Sequence, residues 1–353
     1  MLIALLAIIL TLLLVVGLHE AGHAIAARIF GIKIETISIG FGKPIVKWRK
    51  NGVEWVWAMW PLGGYVKLLN SRIHPVKPQD YPYCFDKKPV WVRIVVLFSG
   101  ALVNLILAWA ALFLYFSMDH QQQIPVVKQV VTDSVAAGAG IKSGDRIIVI
   151  DQHKTDSWQD VGMYLISHLD NPAVPIKVIG SDNIHQNYLL NLKDLSMQGN
   201  LLTAIGIVPA ESKEYLERVP GQDFIEAASF ASLKLKQLLW FFLIILKQLL
   251  TGKIPFSVLL GPVGLLSASI LSLKQGLAVF LYFIATLSLA VGLVNLFPIP
   301  GLDGGSIIFA LIEKISGRPV SVALEILLYR LALIAFFLFL VQLLLNDLQR
   351  YLR

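Results

Sequence analysis

The sequence predicts a multi-pass α-helical membrane protein with about four transmembrane helices, a membrane-associated β-hairpin and an inserted, mostly β module. Three observations carry that reading. Of 353 residues, 56% are hydrophobic and 15% charged, against about 45–50% and about 25% in a soluble domain. Residues 1–18, 94–118 and 276–302 contain no Asp, Glu, Lys or Arg, and a crossing needs about 20 apolar residues. Between these runs lies a stretch of some hundred residues whose charge density is that of a soluble domain. A purely soluble enzyme is excluded.

The fourth span is 331–345, lengthened by 326–328 because a single Arg330 can snorkel to the interface. Residues 1–18 lack a basic start and a small-residue cleavage site and run directly into His19 and Glu20, so they read as an uncleaved helix. Residues 27–93 hold 12 Lys and Arg against 4 Asp and Glu, whereas 119–223 hold 8 against 13. The positive-inside rule puts the first segment in the cytoplasm and the second across the membrane, with both termini outward. Residues 224–250 contain an apolar stretch at 238–246 closely flanked by Lys234, Lys236 and Lys247, the pattern of an interfacial amphipathic helix. The net charge of +7 belongs to basic residues beside apolar spans, which suits anionic lipid headgroups and argues against nucleic acid as partner. With Cys84 as the single cysteine, no intrachain disulfide can form.

Residues 47–50 and 53–57 flank Asn51-Gly52, a dipeptide suited to a type I′ turn, so a hairpin is expected there. Pro61-Leu-Gly-Gly-Tyr65 offers a second sharp turn. Residues 124–210 mix β-rich runs at 126–131, 146–150, 175–179 and 204–208 with a helical stretch near 157–168. The chain therefore divides into an N-terminal membrane core (1–118), the β module (119–212), interfacial amphipathic helices (213–275) and a C-terminal membrane core (276–353).

The strongest chemical signal is His19-Glu20-Ala21-Gly22-His23 at the end of the first span. Helical residues i and i+4 share one face, so both imidazoles can reach one metal ion, while Glu20 is rotated off that face and free to act as general base on water. Zinc fits neutral imidazole and lowers the pKa of its water. Ionisable residues within a span are costly, and by default they mark function. A catalytic site needs a third protein ligand, and the later positions of the extended His-Glu-x-x-His-x-x-Gly-x-x-His pattern hold Ala26 and Ile29. Glu35 and Glu54 lie in the basic loop, where solvated or paired roles suffice. Asp303 follows the 276–302 run in Asn295-Leu-Phe-Pro-Ile-Pro-Gly-Leu-Asp-Gly-Gly305, where Pro298 and Pro300 break the helix and the glycines permit close backbone approach. Broken helix at membrane depth is tolerated where protein or water covers it. Asp303 is the candidate third ligand, the alternative being a carboxylate solvated at a helix end.

On these residues the chain resembles the site-2 protease family of bacterial intramembrane zinc metalloproteases. The resemblance covers nearly the whole chain: 19–23, Pro61-Leu-Gly-Gly-Tyr-Val-Lys67, Gly261-Pro-Val-Gly264, 295–305, and Asn346-Asp347. It implies an inner-membrane, multi-pass protein with the active site toward the cytoplasm, His19, His23 and Asp303 as zinc ligands and Glu20 as catalytic base. It also implies that the hairpin and the Gly63-Gly64-Tyr65 region form a membrane-dipping element gripping substrate as an added strand, and that Asn295 holds unwound substrate. The implied substrates are single-span membrane proteins, an anti-sigma factor or remnant signal peptides. Ser134-Val-Ala-Ala-Gly-Ala-Gly-Ile-Lys-Ser-Gly-Asp-Arg146 resembles a PDZ domain, which implies a PDZ-like, periplasmic module, a candidate binder of peptide ligands and a filter against untrimmed proteins. Residues 124–210 have room for one such domain where relatives carry two; Gln152 replaces a usual turn glycine, and Ala290 stands where an asparagine is found.

A rival reading is a non-catalytic membrane adaptor bearing a PDZ domain and a structural zinc. A closed four-ligand site would favour it, but three good ligands are present and Glu20 would have no use. A transporter would be expected to show inverted repeats, and none is found. Trp55, Trp57 and Trp60 read as interface anchors, and His74, His120, His153, His168 and His185 lack metal-ligand spacing.

Overall fold

The computed structural model describes residues 2–195, 200–210 and 212–352. Among them, six helices are long and apolar enough to cross a membrane: Leu2–Ile29, Val90–Ser117, Phe224–Leu250, Phe256–Gln275, Leu277–Asn295 and Val322–Arg350. The protein is therefore a multi-pass helical membrane protein. Four of the six coincide with the expected spans. The other two lie where interfacial helices were expected, so six helices qualify by length and composition where four spans were expected. The reason is local: between the flanking lysines, 238–246 is an uninterrupted apolar stretch.

The chain forms two compact units. One comprises the residues up to Tyr115 together with Val263–Val341; the other comprises Phe116–Pro262 and the residues from Gln342 on.

In the first unit, α1 (Leu2–Ile29) includes a π-helical segment at Leu12–Gly17 directly before the histidine motif, a widening of the kind frequently found at functional sites. The helix ends where Gly31 adopts φ +61°. There the Ile32 amide donates to the Ala27 carbonyl at 2.7 Å and the Gly31 amide to that of Arg28 at 3.1 Å, a Schellman closure that turns the chain into the first strand.

Strands β1 (Ile34–Lys50) and β2 (Val53–Leu68) meet at Asn51 and Gly52, with φ +52° and +79°. This is the expected turn, on strands far longer than expected. The ladder pairs Ile34 with Leu68 and Ile39 with Gly64, and Lys50 with Val53 and Val46 with Trp57. Its register also sets Thr36, Ile37, Ser38 and Ile39 opposite Glu54, Val56 and the Trp55 and Trp57 pair. The hairpin thus bends back on itself at Gly40 and Gly42, both at positive φ. Its inner half alternates buried and half-buried residues and packs Ile34, Val53, Ile37, Val66 and Leu68 against Ala24, Ala27, Val92 and Val96. Residues 41–50 of β1 are exposed throughout, with Phe41, Ile45, Val46 and Trp48 open, whereas Val53 and Ala58 of β2 are buried.

The link to α2 (Val90–Ser117) is pinned by Asp86, which accepts from the Ser71 hydroxyl at 2.5 Å and the Ser71 amide at 2.8 Å. Burial pushes the Asp86 carboxyl up, but the two Ser71 hydrogen bonds and Lys87 outweigh it and hold the group below its ordinary value. A carboxylate with a lowered folded pKa stabilises the fold above its unfolded pKa, and that stability is lost as pH falls through the folded value. Ser71→Ala is expected to destabilise the protein by about 1–2 kcal/mol near neutral pH. The difference from wild type should vanish once pH drops below the ordinary carboxylate range, as read by thermal unfolding in detergent.

The second unit holds the β module. Strands β3 (His120–Gln123) and β4 (Val127–Val130) precede the short helix α3 (Val135–Ala139). Next come β5 (Arg146–Ile150), β6 (His153–Lys154), α4 (Trp158–Ser167), β7 (Val174–Ile179) and β8 (His185–Leu190). The unit continues through α5 (Leu201–Ile205), β9 (Ile207–Pro209) and β10 (Leu216–Val219) to the 27-residue helix α6 (Phe224–Leu250). The sheet order is β6-β5-β7-β8, with separate β4-β9 and β10-β3 pairs. Helix α4 lies where expected, opened by a Ser157–Asp160 capping box.

The strand expected at 204–208 is only partly formed: residues 204–205 end α5, whereas 207–208 lie in β9. Asn200 caps that helix and Gly206 at φ +84° ends it, leaving only β9 extended. Helix α6 contributes Phe241 and Leu249 to the same core as Ile147, Ile176 and Leu190, and Ile254 is buried in it. Here Asp347 accepts from the Gly261 amide at 2.9 Å and Asn346 donates to the Phe256 carbonyl at 2.8 Å.

The remaining helices of the first unit are α7 (Pro262–Gln275), α8 (Leu277–Asn295), α9 (Asp303–Ser316) and α10 (Val322–Leu352); α7 starts and α10 ends in the other unit. Thr11 of α1 and Ser269 of α7 share a buried 2.8 Å hydrogen bond, the kind of polar contact that joins helices where no hydrophobic force separates them from lipid.

Candidate metal centre

His19 and His23 lie one turn apart on α1, both buried, with their Nε2 atoms 3.2 Å apart. Asp303, the first residue of α9 and 280 positions further along the chain, places Oδ2 3.3 Å from each of these nitrogens. Among the described residues, this is the one group of His, Cys, Asp and Glu whose ligand atoms converge closely enough to hold a metal ion. The spacing is diagnostic. Ligands at about 2.0–2.1 Å from a tetrahedral ion stand about 3.3 Å from one another.

The electrostatics point the same way. The Nδ1–H of His23 donates to the Val96 carbonyl at 2.8 Å, which fixes the tautomer and leaves Nε2 with its lone pair toward Asp303. Asp303 Oδ2 is buried without a hydrogen bond. The His23 lone pair and an anionic oxygen aimed at one point repel each other unless a cation sits between them, and His19 Nε2 stands at the same point, so these residues fit zinc.

The helices approach through glycines that the sequence reading did not single out. A Cβ on Gly100 of α2 would overlap His23 Nε2 and lie 2.7 Å from His19 Cε1, and one on Gly22 would lie 2.7 Å from the Ser99 carbonyl oxygen. Glycine at both positions lets α1 lie directly on α2 with the imidazole rings against bare backbone. The signal in the sequence was the small-residue run Ser99-Gly100-Ala101 inside a span. Asp303 is aimed by the broken helix. Cβ atoms on Gly304 and Gly305 would collide with the Leu296 and Ile299 carbonyls, so the start of α9 is seated on the proline-containing turn, which Gly301 at φ +101° makes possible.

Glu20 is buried, 8% exposed, and stands beside the three-residue cluster without belonging to it. It faces β2: a Cβ on Gly64 would lie 3.0 Å from Glu20 Cγ and 2.7 Å from the Ser38 carbonyl oxygen. Gly63 lies under the Phe41 ring, and Tyr65 stacks on Phe41 with ring centroids 6.3 Å apart. Gly64 is therefore brought to Glu20, while Gly63 and Tyr65 of the same strand pack on Phe41 of β1. Asn295 is half-buried as the last residue of α8.

The model of peptidase family M50 matches residues 7–340. The chain belongs to this family. Among similar proteins, the regulator of sigma E protease of Haemophilus influenzae is 29% identical, covering 92% of this chain and 93% of the relative. A putative zinc metalloprotease of Bartonella henselae is 31% identical over 95% and 98%. The regulator of sigma-E protease RseP of Escherichia coli K12 is 27% identical over 95% and 96%. As an M50 peptidase the protein is a zinc-dependent metalloprotease of the site-2 protease type.

Proposed function

We propose that this M50 peptidase is an intramembrane endopeptidase that cuts single-span membrane proteins within or near their membrane segment, with His19, His23 and Asp303 as metal ligands and Glu20 as general base. One observation carries the assignment: three ligand atoms on two distant helices converge with mutual distances of 3.2–3.3 Å, beside the buried carboxylate of Glu20. Bound zinc supplies a Lewis acid that makes water nucleophilic near neutral pH and stabilises developing negative charge. The Glu20 carboxylate takes the proton of the attacking water and returns it to the leaving amine.

A helical peptide bond is shielded by its own hydrogen bonds, so substrate must unwind before it is cut. Gly64, without a side chain, lets an extended backbone approach Glu20, and Gly63, Gly64 and Tyr65 offer the strand to which such a segment adds. Asn295, at the break between α8 and the Asp303 turn, is placed to hold unwound backbone. The relatives named for sigma-E regulation favour an anti-sigma factor as substrate, with remnant signal peptides as the further class.

The β module is read as one PDZ-like domain outside the cytoplasm that excludes untrimmed proteins. The alignment to the E. coli relative runs over 434 positions, about 80 more than the 353 residues of this chain, whereas that to the Bartonella protein runs over 357; this chain follows the shorter plan. Four crossings remain the preferred reading. Phe241 and Leu249 of α6 pack into the β module's own core, and Lys234 is paired with Asp160 of α4. A helix committed to that core lies at the membrane surface, and the excess of Lys and Arg in 27–93 then puts the metal site toward the bacterial cytoplasm.

Cleavage of a pretrimmed single-span reporter in liposomes tests the proposal. Wild-type protein should cut it, a zinc chelator should abolish the cut, and added zinc should restore it. Stoichiometric binding of reporter with no product would sink the endopeptidase reading and leave a non-catalytic adaptor.

A further inference from the structure

Helix α2 presents one face to both halves of the metal centre. Arg93, Val96 and Gly100 are spaced i, i+3 and i+7, positions that stack along one side of a helix. The Val96 carbonyl orients His23, and Gly100 seats both imidazoles. Arg93, 6% exposed, reaches α9 instead. Its guanidinium grips Glu313 with both prongs, Nη2 to Oε1 at 2.7 Å and Nη1 to Oε2 at 3.0 Å.

Glu313 sits ten residues after Asp303 on the same helix, about 15 Å along its axis. Helix α9 is thus tied at one end to the histidines that rest on Gly100 and at the other to Arg93. A second arginine holds the link that follows: Arg72 pairs with Glu325 at 3.0 Å and donates to the Val320 carbonyl at 2.5 Å.

Burying a guanidinium and a carboxylate in a low-dielectric interior costs about as much as their attraction returns, so the pair is weak evidence of stabilisation. Its best-attested use is registry. Registry matters here because one residue of axial slip displaces a helix by about 1.5 Å, whereas a metal–ligand distance tolerates about 0.2 Å. The glycine seat at 304–305 places Asp303 against its own turn but gives α9 no hold on α2. The two-pronged Arg93 contact does, and only a fork of fixed geometry resists both slip and rotation.

We propose that Arg93 is a positioning residue of the metal centre: through its ion pair with Glu313 it holds α9 at the axial register that brings Asp303 to His19 and His23. The inference rests on the assignment of those three residues as ligands.

Zinc affinity of the purified full-length protein in detergent, measured by competition with a chromophoric chelator, tests it. Arg93→Gln and Glu313→Gln should each weaken zinc binding by about 10–100-fold, as for groups that orient ligands from outside the coordination sphere, and the double substitution should do no worse than either. In an Asp303→Asn background, Arg93→Gln should have no further effect, because its influence passes through that carboxylate. The exchanged pair Arg93→Glu with Glu313→Arg should recover most of the lost affinity. If Arg93→Gln does not fold, Arg93→Lys carries the same test, since it keeps the charge and loses the fork. Wild-type affinity in folded Arg93→Gln, alongside weakened binding in Asp303→Asn, would overturn the positioning role and leave the ligand assignment standing. So would an equal loss from Arg93→Gln with and without Asp303. Unchanged affinity in Asp303→Asn would overturn the ligand assignment and this inference with it.

Discussion

Glu20→Gln is expected to lower turnover of a single-span reporter by at least about 100-fold, and by up to about 10,000-fold, the range supplied by a positioned general base. Zinc content should stay at the wild-type level. The separation follows from geometry. Glutamine is nearly isosteric, so the packing of Glu20 Cγ beside Gly64 is retained, and the three converging ligand atoms belong to other residues. What the amide lacks is basicity: it cannot accept the proton of an attacking water. A 100-fold loss corresponds to about 2.7 kcal/mol of transition-state stabilisation. Metal analysis and single-turnover cleavage on the same preparation check both halves. Full activity in the variant would remove Glu20 from the proton-transfer role, and loss of zinc together with activity would make it a structural support of the site.

Gly100→Ala should be nearly as damaging, by a different route. The added methyl would occupy the space of His23 Nε2, and there is little room for retreat. Helix α1 cannot simply move away along the contact, because Gly22 is itself packed on the Ser99 carbonyl and Val103. His23 can swing clear only by giving up its hydrogen bond to Val96, which frees the ring to leave the metal-binding point. Zinc affinity is expected to drop by about 100-fold, the upper range for disturbing a ligand's support, and activity should follow. Gly162→Ala provides the control. A Cβ there meets nothing within 4 Å, and inside α4 alanine is the better helix former by about 1 kcal/mol, so zinc binding should be untouched. Wild-type affinity in Gly100→Ala would mean that the α1–α2 contact is looser than the structure describes.

These two residues also mark how far the site was legible beforehand. Glu20 belongs to a five-residue pattern whose meaning depends only on helical periodicity, so its position relative to His19 and His23 follows once the segment is helical. Gly100 carries no chemistry of its own. Its importance arises from the ring of another helix lying over it, and a small-residue run inside a span says that helices approach there without saying which. Asp303 stands between these cases. An isolated carboxylate after a long uncharged run was a readable candidate, but its 3.3 Å approach to both histidines comes from the glycine seat and from the contacts made by the rest of α9.

The misjudged elements have physical causes too. The turn at Asn51-Gly52 was readable because few residues tolerate positive φ at consecutive positions, yet the length of β1 and β2 was hidden: the first half of β1 alternates with its burial, whereas residues 41–50 are exposed on both faces. Residues 204–208 have strand-like composition, but a cap at Asn200 and left-handed Gly206 put 204–205 in a helical turn and leave 207–208 as strand. Helix α6 is apolar enough to span a membrane, and its Phe241 and Leu249 nonetheless belong to the β module's core, a commitment that hydropathy does not record.

By itself, then, the sequence determined what is local: a membrane protein by composition, a helix carrying two imidazoles on one face with a carboxylate beside them, a type I′ turn, and a broken helix ahead of Asp303. Tertiary structure alone decided that α9 lies where Asp303 meets those imidazoles, that Gly22 lets α1 close on α2 so that the rings rest on Gly100, and that Arg93 is tied to Glu313. Periodicity and backbone preference act over a few residues and are written into each segment, whereas the meeting of residues 19, 100 and 303 is settled by which faces pack best once every element has formed.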